Sequence, residues 1–420
     1  MYPSVRDLPA RPVQVDPSQR VGGTVLALGT VSLLTDISSE MVTAVLPVYL
    51  TLAVGLSPLA FGFLDGLYQG VSVLVRLLGG YTADRSGRPK ATAQWGYGLS
   101  AACKLGLVAA TGPGGIAAVL AVDRTGKGLR TAPRDALISA SVPPALLGRA
   151  FGVHRAMDTA GAMVGPLLAF ALLLFLPGDY RSVFLTSFAF AVLGCAVLWA
   201  FVRERPRAAP SGAAPVRLRS LRGLLADARL RRLAVVSLVL GLLTVSDGFI
   251  YLVLRDRGAV EARYFPLLFV GTATVYLLLA VPLGRLADRI GRIPVLLGGH
   301  VALLLTYLLF IDTSLLGGAV LVASVLAGLG VYYAATDGVL AAVAATLTGP
   351  ELRGSGIALV QTAVAAGRLL SAVLFGLLWT AWDQHSAMVA FGLALALALP
   401  VAWQSLRAVD PSSLREPLDA

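Results

Sequence analysis

The sequence predicts an all-α integral membrane protein, with twelve transmembrane helices in two pseudo-symmetric six-helix bundles. Three observations predict it. The first is composition: 57% of the residues are hydrophobic and 14% charged, with a mean hydropathy of +0.79, whereas a soluble domain carries roughly 25% charged residues. The second is run length. Continuous apolar stretches recur along the chain at the ~20 residues a helix needs to cross the hydrocarbon, and their continuity excludes a barrel, whose strands alternate. The third is an internal repeat. Ala83-Asp-Arg-Ser-Gly-Arg88 returns as Ala287-Asp-Arg-Ile-Gly-Arg292, and Arg149-Ala-Phe-Gly152 lies at the same offset of 204 residues from Arg353-Gly-Ser-Gly356. Two matches at one offset, half the helical length of the chain, point to duplicated halves.

Hydropathy and turn residues place the first six spans at 21–53, 58–83, 91–112, 115–140, 146–176 and 180–204. The other six fall at 231–254, 262–287, 294–311, 315–347, 351–379 and 385–407. The predicted organisation is an N-terminal tail (1–20), a first bundle (21–204), an inter-bundle loop (205–230), a second bundle (231–408) and a C-terminal tail (409–420). The loop is rich in Pro, Gly and Arg, and an interfacial helix is expected near Leu218–Ala228. The tail holds no apolar signal core, so no cleaved signal peptide is expected.

Basic residues fix the orientation. The tails and even-numbered loops hold 22 of the 34 Lys and Arg, while the opposite loops hold Arg181, Arg255, Arg257 and Arg263. The positive-inside rule then places both termini in the cytoplasm of a bacterial-type inner membrane. The net charge of +11 is explained by this topology rather than by nucleic acid. Two cysteines and three histidines, dispersed along the chain, give no metal cluster.

Charge inside the fourth span is the main chemical signal. Asp123-Arg-Thr-Gly-Lys-Gly-Leu-Arg-Thr-Ala-Pro-Arg-Asp135 is flanked by apolar residues on both sides. On a helix Asp123, Lys127, Arg130 and Arg134 fall within about 60° of one another. Ionisable residues within a membrane are costly and usually line a pathway. In the first span Asp36 and Glu40 share a face at i, i+4. Their depth, roughly 22 Å from the inner surface for Asp36, predicts that they meet Arg124 or Lys127 across a cavity. Gly126-Lys127-Gly128 is not a phosphate loop, because position 121 is Ala and 128 is Gly. Without a nucleotide site, uphill movement of a solute must draw on a proton or other ion gradient, and no cofactor is expected.

Gly79, Asp84, Arg85, Gly87, Arg88 and Lys90, between spans 2 and 3, resemble the signature loop of the major facilitator superfamily. The copy at Gly284–Arg292, with Asp288, Arg289 and Arg292, sits between spans 8 and 9, as in that family. Arg124, Gly128 and Ala132 resemble its fourth-helix arginine motif, with Lys127 and Arg130 as departures. Gly161, Gly165 and Pro166 resemble its fifth-helix antiporter motif, whose closing glycine pair is missing here. The resemblance covers residues 21–407 and implies alternating access between two bundles, with spans 1, 4, 7 and 10 around the cavity.

On that resemblance, Asp36, Glu40, Asp158, Asp247 and Asp337 are candidates for proton coupling or cavity charge, together with Arg124, Lys127, Arg130 and Arg134. Tyr251, Tyr332 and Tyr333 are candidates for contact with cargo, or else interfacial aromatics. The basic loop with Arg353 and Arg368 would form a conformational latch, or only set topology. Arg155 with Asp158 reads as a structural pair, and Asp65, Arg76 and Lys104 likewise.

The expected function is secondary active transport of a small solute, proton-coupled and outward, by a monomer in the lipid bilayer. Import or exchange of an organic anion on the same fold is the alternative, favoured by the basic fourth span. A membrane enzyme acting on a lipid phosphate is a remote one, since clustered His, Cys or metal-binding carboxylates are missing. So is a transport-dead sensor or scaffold.

Overall fold

A computed structural model describes residues 22–86, 88–143, 146–202, 226–311, 317–348 and 353–407, with side chains at 72–74, 76–86, 353 and 354 outside that description. The first half comprises α1 (Gly23–Val48), α2 (Pro58–Ser86), α3 (Pro89–Ala109), α4 (Gly112–Ala140), α5 (Leu147–Phe175) and α6 (Tyr180–Phe201). A π turn, Tyr49–Ala53, prolongs α1. The second half comprises α7 (Ala228–Leu242), α8 (Asp247–Asp256), α9 (Phe265–Ile290), α10 (Arg292–Leu308), α11 (Gly318–Thr346), α12 (Arg353–Ala381) and α13 (Gln384–Arg407). The helix expected near Leu218–Ala228 falls mostly outside the described residues.

The seventh span differs from its sequence expectation. It is two helices, α7 and α8, separated at Leu243–Ser246. Ser246 caps α8 by accepting from the Phe249 N–H (3.5 Å), and Asp247 places its carboxylate in the first turn, where the helix dipole favours negative charge. A broken helix in lipid needs partners for its freed backbone groups. Tyr307 of α10 supplies two: its hydroxyl accepts from the Val245 N–H (2.7 Å) and donates to the Leu243 carbonyl (3.0 Å). Ser371 of α12 donates to the Thr244 carbonyl (2.7 Å).

Packing follows the duplication. In the first half α1 contacts α5 and α6, α4 contacts α2 and α3, and α3 contacts α6; in the second half the span formed by α7 contacts α12 and α13, α11 contacts α9 and α10, and α10 contacts α13. The halves meet along α2 with α12 and α5 with α9, two seams that the same symmetry exchanges. Eight stretches among the described residues are long and apolar enough to cross a membrane unaided. α4 is not among them, because its charges interrupt the apolar run; Asp123, Arg124 and Arg130 are instead buried among neighbouring helices.

The α2–α12 seam is shut at the face opposite the chain termini. The Leu59 N–H donates to Thr380 Oγ1 (3.0 Å), and Phe249 of α8 packs edge-on between Phe61 and Phe375, with ring centroids 4.8 and 4.9 Å away. On the terminus-bearing side, a cavity of about 440 Å³ extends to Leu406 in the last turn of α13.

Candidate functional site

The fourth-span charges separate into a tight cluster and a loose ladder. In the cluster, Asp123 lies between α3 and α4, and four donors fill its carboxylate. Oδ1 accepts from Lys104 Nζ (2.8 Å) and Ser100 Oγ (2.6 Å); Oδ2 accepts from Arg124 Nη2 (2.6 Å) and Nε (3.1 Å). The guanidinium of Arg124 also lies over the Tyr68 ring of α2, 3.7 Å from its centroid. Close helix approach makes this possible: a Cβ on Gly126 would stand 2.7 Å from the Gly96 carbonyl oxygen. Gly126 of the Gly-Lys-Gly run therefore serves helix packing. Arg124 is consumed here, and Lys104, read from the sequence as structural, completes the cluster.

The ladder crosses from α4 to α1 and α5. Lys127 Nζ lies 4.0 Å from Glu40 Oε1, Arg130 Nη2 is 3.9 Å from Asp36 Oδ1, and Arg134 Nη1 is 3.8 Å from Asp158 Oδ1. Glu40 thus faces Lys127, one of the partners expected from depth, while Asp36 meets Arg130, one turn beyond Lys127. Charge-assisted N–H···O bonds close to about 2.7–2.9 Å, so these three contacts join groups facing one another across a crevice. Glu40 and Lys127 are 26% and 33% exposed at their side chains. Arg130 is held from behind by the Tyr97 ring (4.6 Å). Arg155 Nη1 pairs with Asp158 Oδ2 at 3.7 Å within α5.

Gly161 and Gly165 seat α5 on α1. A Cβ on Gly161 would collide with the Leu33 carbonyl oxygen, and one on Gly165 would stand 2.7 Å from that of Ile37. Pro166 is buried within α5. In the structure these residues serve to bring Asp158 beside the ladder.

The second half, with Arg155 of α5 from the first, supplies the cavity wall. Arg155, Ser237, His300, Tyr332, Thr336, Asp337, Gln361 and Arg368 contribute its polar lining. Arg368 Nη2 donates to the Tyr332 hydroxyl (3.0 Å), and Tyr333 donates to Asp247 Oδ1 (2.8 Å). His300 Nδ1 lies 2.9 Å from the Leu296 carbonyl oxygen, which makes Nδ1 the donor and leaves Nε2 as the other ring nitrogen.

Two further sequence expectations need correction. Arg368 is not a rim latch: it stands midway along α12, in the cavity wall. Tyr251 is not a cavity residue: it is fully buried, its hydroxyl bonded to Thr272 Oγ1 (2.7 Å) and its ring against Phe265 and Phe269. Of the remaining latch residues, Asp84, Arg85, Gly87 and Arg353 lie outside the described side chains, as does Gly79. Arg88, Asp288 and Arg289 are exposed. Arg292 donates to the Ala342 carbonyl (3.2 Å) of its own half. Gly291, the counterpart of Gly87, has φ +100°, a value that side-chain-bearing residues rarely adopt.

Sequence reasoning read Arg368 as a latch rather than a cavity group, and Asp65 as a structural charge; Asp65 is buried on α2, with Oδ2 lacking a hydrogen-bond partner among the described residues. The signal for both was an isolated charge in an apolar run.

With this geometry in hand, similarity to known proteins is informative. The Major Facilitator Superfamily model matches residues 28–260 and 259–419. An uncharacterised MFS-type transporter, MJ1317, of Methanocaldococcus jannaschii is 30% identical over 384 residues, covering 89% of this chain and 92% of the relative. Among solved structures, the nucleoside transporter NupG superimposes with a TM-score of 0.78 at 14% identity, covering 91% of this chain and 99% of that one. A bacterial homologue of the human lysosomal transporter Spinster, inward-facing and occupied, gives 0.72 at 17% identity, covering 94% and 98%. A D-xylose–proton symporter gives 0.71 at 14%, covering 91% and 97%. Duplicated six-span halves, a cavity between helices and these matches lead to one conclusion: the chain belongs to the Major Facilitator Superfamily and is a multi-pass membrane transporter of a small solute, not an enzyme.

Proposed function

We propose that the protein is a proton-coupled secondary transporter that exports a small organic solute by alternating access, acting as a monomer in a bacterial-type inner membrane with both termini in the cytoplasm. On that orientation the closed α2–α12 seam is the outer gate, and the cavity faces inward. The observation that carries the coupling is the loose α1–α4–α5 ladder. Its three cross-helix pairs lie at 3.8–4.0 Å, while the Asp123 cluster next to it is closed at 2.6–3.1 Å. A closed cluster fixes helices in place, whereas an open pair can exchange partners.

A proton placed on Asp36 or Asp158 removes the charge that faces Arg130 or Arg134. Those cations then turn to another acid, and α1, α4 and α5 shift with them. Asp36 also adjoins Asp158 across the α1–α5 contact, so one proton can serve two helices. Outward direction is supported by the likeness of Gly161, Gly165 and Pro166 to the antiporter motif.

The test is flux in proteoliposomes of known protein orientation under an imposed pH gradient. The proposal expects solute and protons to move in opposite directions, and Asp36→Asn to abolish gradient-driven accumulation while solute–solute exchange persists. Solute movement unaffected by the pH gradient overturns the coupling, and solute moving with the protons overturns the direction.

A further inference from the structure

The two halves differ in how they balance charge, and the difference bears on what the cavity accepts. In the first half, Lys104, Arg124, Lys127, Arg130 and Arg134 each face an acid within 4.0 Å, drawn from Asp36, Glu40, Asp123, Asp135 and Asp158. With Arg155, which pairs with Asp158 at 3.7 Å, six cations answer five carboxylates, and each of the six has an acid within 4.0 Å. The basic excess of the fourth span, which from sequence alone favoured an anionic cargo, is therefore spent inside the protein.

Arg368 is different. Among the described residues no carboxylate oxygen lies within 4.0 Å of it. Among the described residues, Nη2 is bonded only to the neutral Tyr332 hydroxyl, and Nε is buried with no hydrogen-bond partner. The rings of Tyr332 and Tyr333 flank the guanidinium, at 5.9 and 5.5 Å from their centroids. Nearby acids do not close on it: Asp247 is engaged by Tyr333 (2.8 Å), and Asp337 stands exposed on the cavity wall beyond ion-pair distance. A guanidinium in the interior of a membrane protein is costly without a counter-charge, and its planar fork matches a carboxylate. The open space in front of it is the 440 Å³ cavity, within the range of small-molecule sites.

We propose that Arg368, with the Tyr332 hydroxyl beside it, anchors the anionic group of the cargo, and that this group is the carboxylate of an organic monoanion. A single unbalanced guanidinium suits one negative charge. Asp337 on the same wall disfavours a dianion such as a phosphate monoester and leaves room for a polar or cationic group at the cargo's far end. Tyr332, Tyr333 and His300 give the anchor an aromatic surround suited to a flat apolar body next to the carboxylate. This inference rests on the transporter reading for its biological meaning, although binding itself needs no gradient.

The test is thermal stabilisation of the purified full chain by matched probes: benzoate and 3-phenylpropionate, their amine counterparts benzylamine and 3-phenylpropylamine, and benzyl phosphate. The carboxylates are expected to stabilise the protein and the amines not. Arg368→Gln should weaken carboxylate binding by about 30-fold or more, the loss of a charge-assisted bond, while Arg368→Lys retains part of it. Arg263→Gln, on the far surface, should change nothing. The unliganded Arg368→Gln protein should melt no lower than wild type, since the substitution removes an uncompensated charge; a purely structural arginine would give the reverse. Stabilisation by the amines alone, carboxylate binding unchanged by Arg368→Gln, or no stabilisation by either carboxylate overturns the inference. Tighter, Arg368-dependent binding of benzyl phosphate overturns the choice of a monoanion. If carboxylates bind through Arg368 yet no proton-driven flux occurs, the anion site stands and the coupling proposal fails. If an amine is driven by protons and Arg368→Gln is silent, the reverse holds.

Discussion

Gly62→Ala isolates the proposed outer gate, the closed α2–α12 seam, from every question about cargo. Gly62 of α2 packs on the backbone of α12, and a methyl group there would run into the Ala372 carbonyl oxygen, with the Phe249 ring 3.2 Å away on another side. The obstacle is backbone, so no rotamer change relieves it. Forcing one extra methyl into a filled contact costs about 1–3 kcal/mol. That cost applies only when α2 and α12 are together, as here. It is absent when the halves part on this face. The closed population should therefore fall relative to the open one by about 5- to 150-fold, at 1.36 kcal/mol per decade. Spin labels at Ala53 and Trp382, near the ends of the first and eleventh spans on the closed face, report the separation by pulsed electron resonance once Cys103 and Cys195 are replaced by alanine. Wild type should show a dominant short distance, and Gly62→Ala a new or much enlarged long-distance population. An unchanged distribution in a variant of normal thermal stability would refute the claim that this seam is a gate.

Other substitutions address the charges and caps. Lys104→Met leaves Asp123 buried with Arg124 and Ser100 and should cost about 3 kcal/mol of stability, the lower end for a broken buried pair; calorimetry should show Asp123→Asn in the same chain giving back part of that loss, and strictly additive effects would contradict a shared cluster. Asp36→Asn should leave folding intact yet reduce proton-driven flux at least about 10-fold, measured against solute exchange as an internal control. Asp179 caps α6 through Ser182, and bonds from the Ser182 hydroxyl and backbone N–H hold its carboxyl below the ordinary carboxylate range. A lowered folded value means that its stabilising effect is complete above about pH 4 and disappears as the pH drops through the lowered value. Asp179→Ala should accordingly melt below wild type at neutral pH, with the gap closing in strong acid.

The twelve spans were legible because run length and the repeat at 204 residues are local properties of the chain. The shared face of Asp123, Lys127, Arg130 and Arg134 was legible for a similar reason: helical periodicity fixes which residues of one helix face the same way. Periodicity is silent on what stands opposite. Depth along the helix put Asp36 level with Arg124 or Lys127, but Gly96 and Gly126 draw α3 so close to α4 that Lys104 and Ser100 reach Asp123, which then retains Arg124. Arg130 is left to face Asp36.

By itself the sequence determined the bilayer as solvent, the number and duplication of the spans, and the presence of costly charge within them, because each follows from composition and period along one helix. The tertiary structure decided the rest. It broke the seventh span where Tyr307 and Ser371, 62 and 127 residues from the groups they serve, satisfy its freed backbone. It buried Tyr251 in an aromatic cluster and moved Arg368 from a rim to a cavity wall without a counter-charge. Pairing, burial and vacancy depend on how separate helices rotate and approach one another, and those relations exist only once the halves have packed.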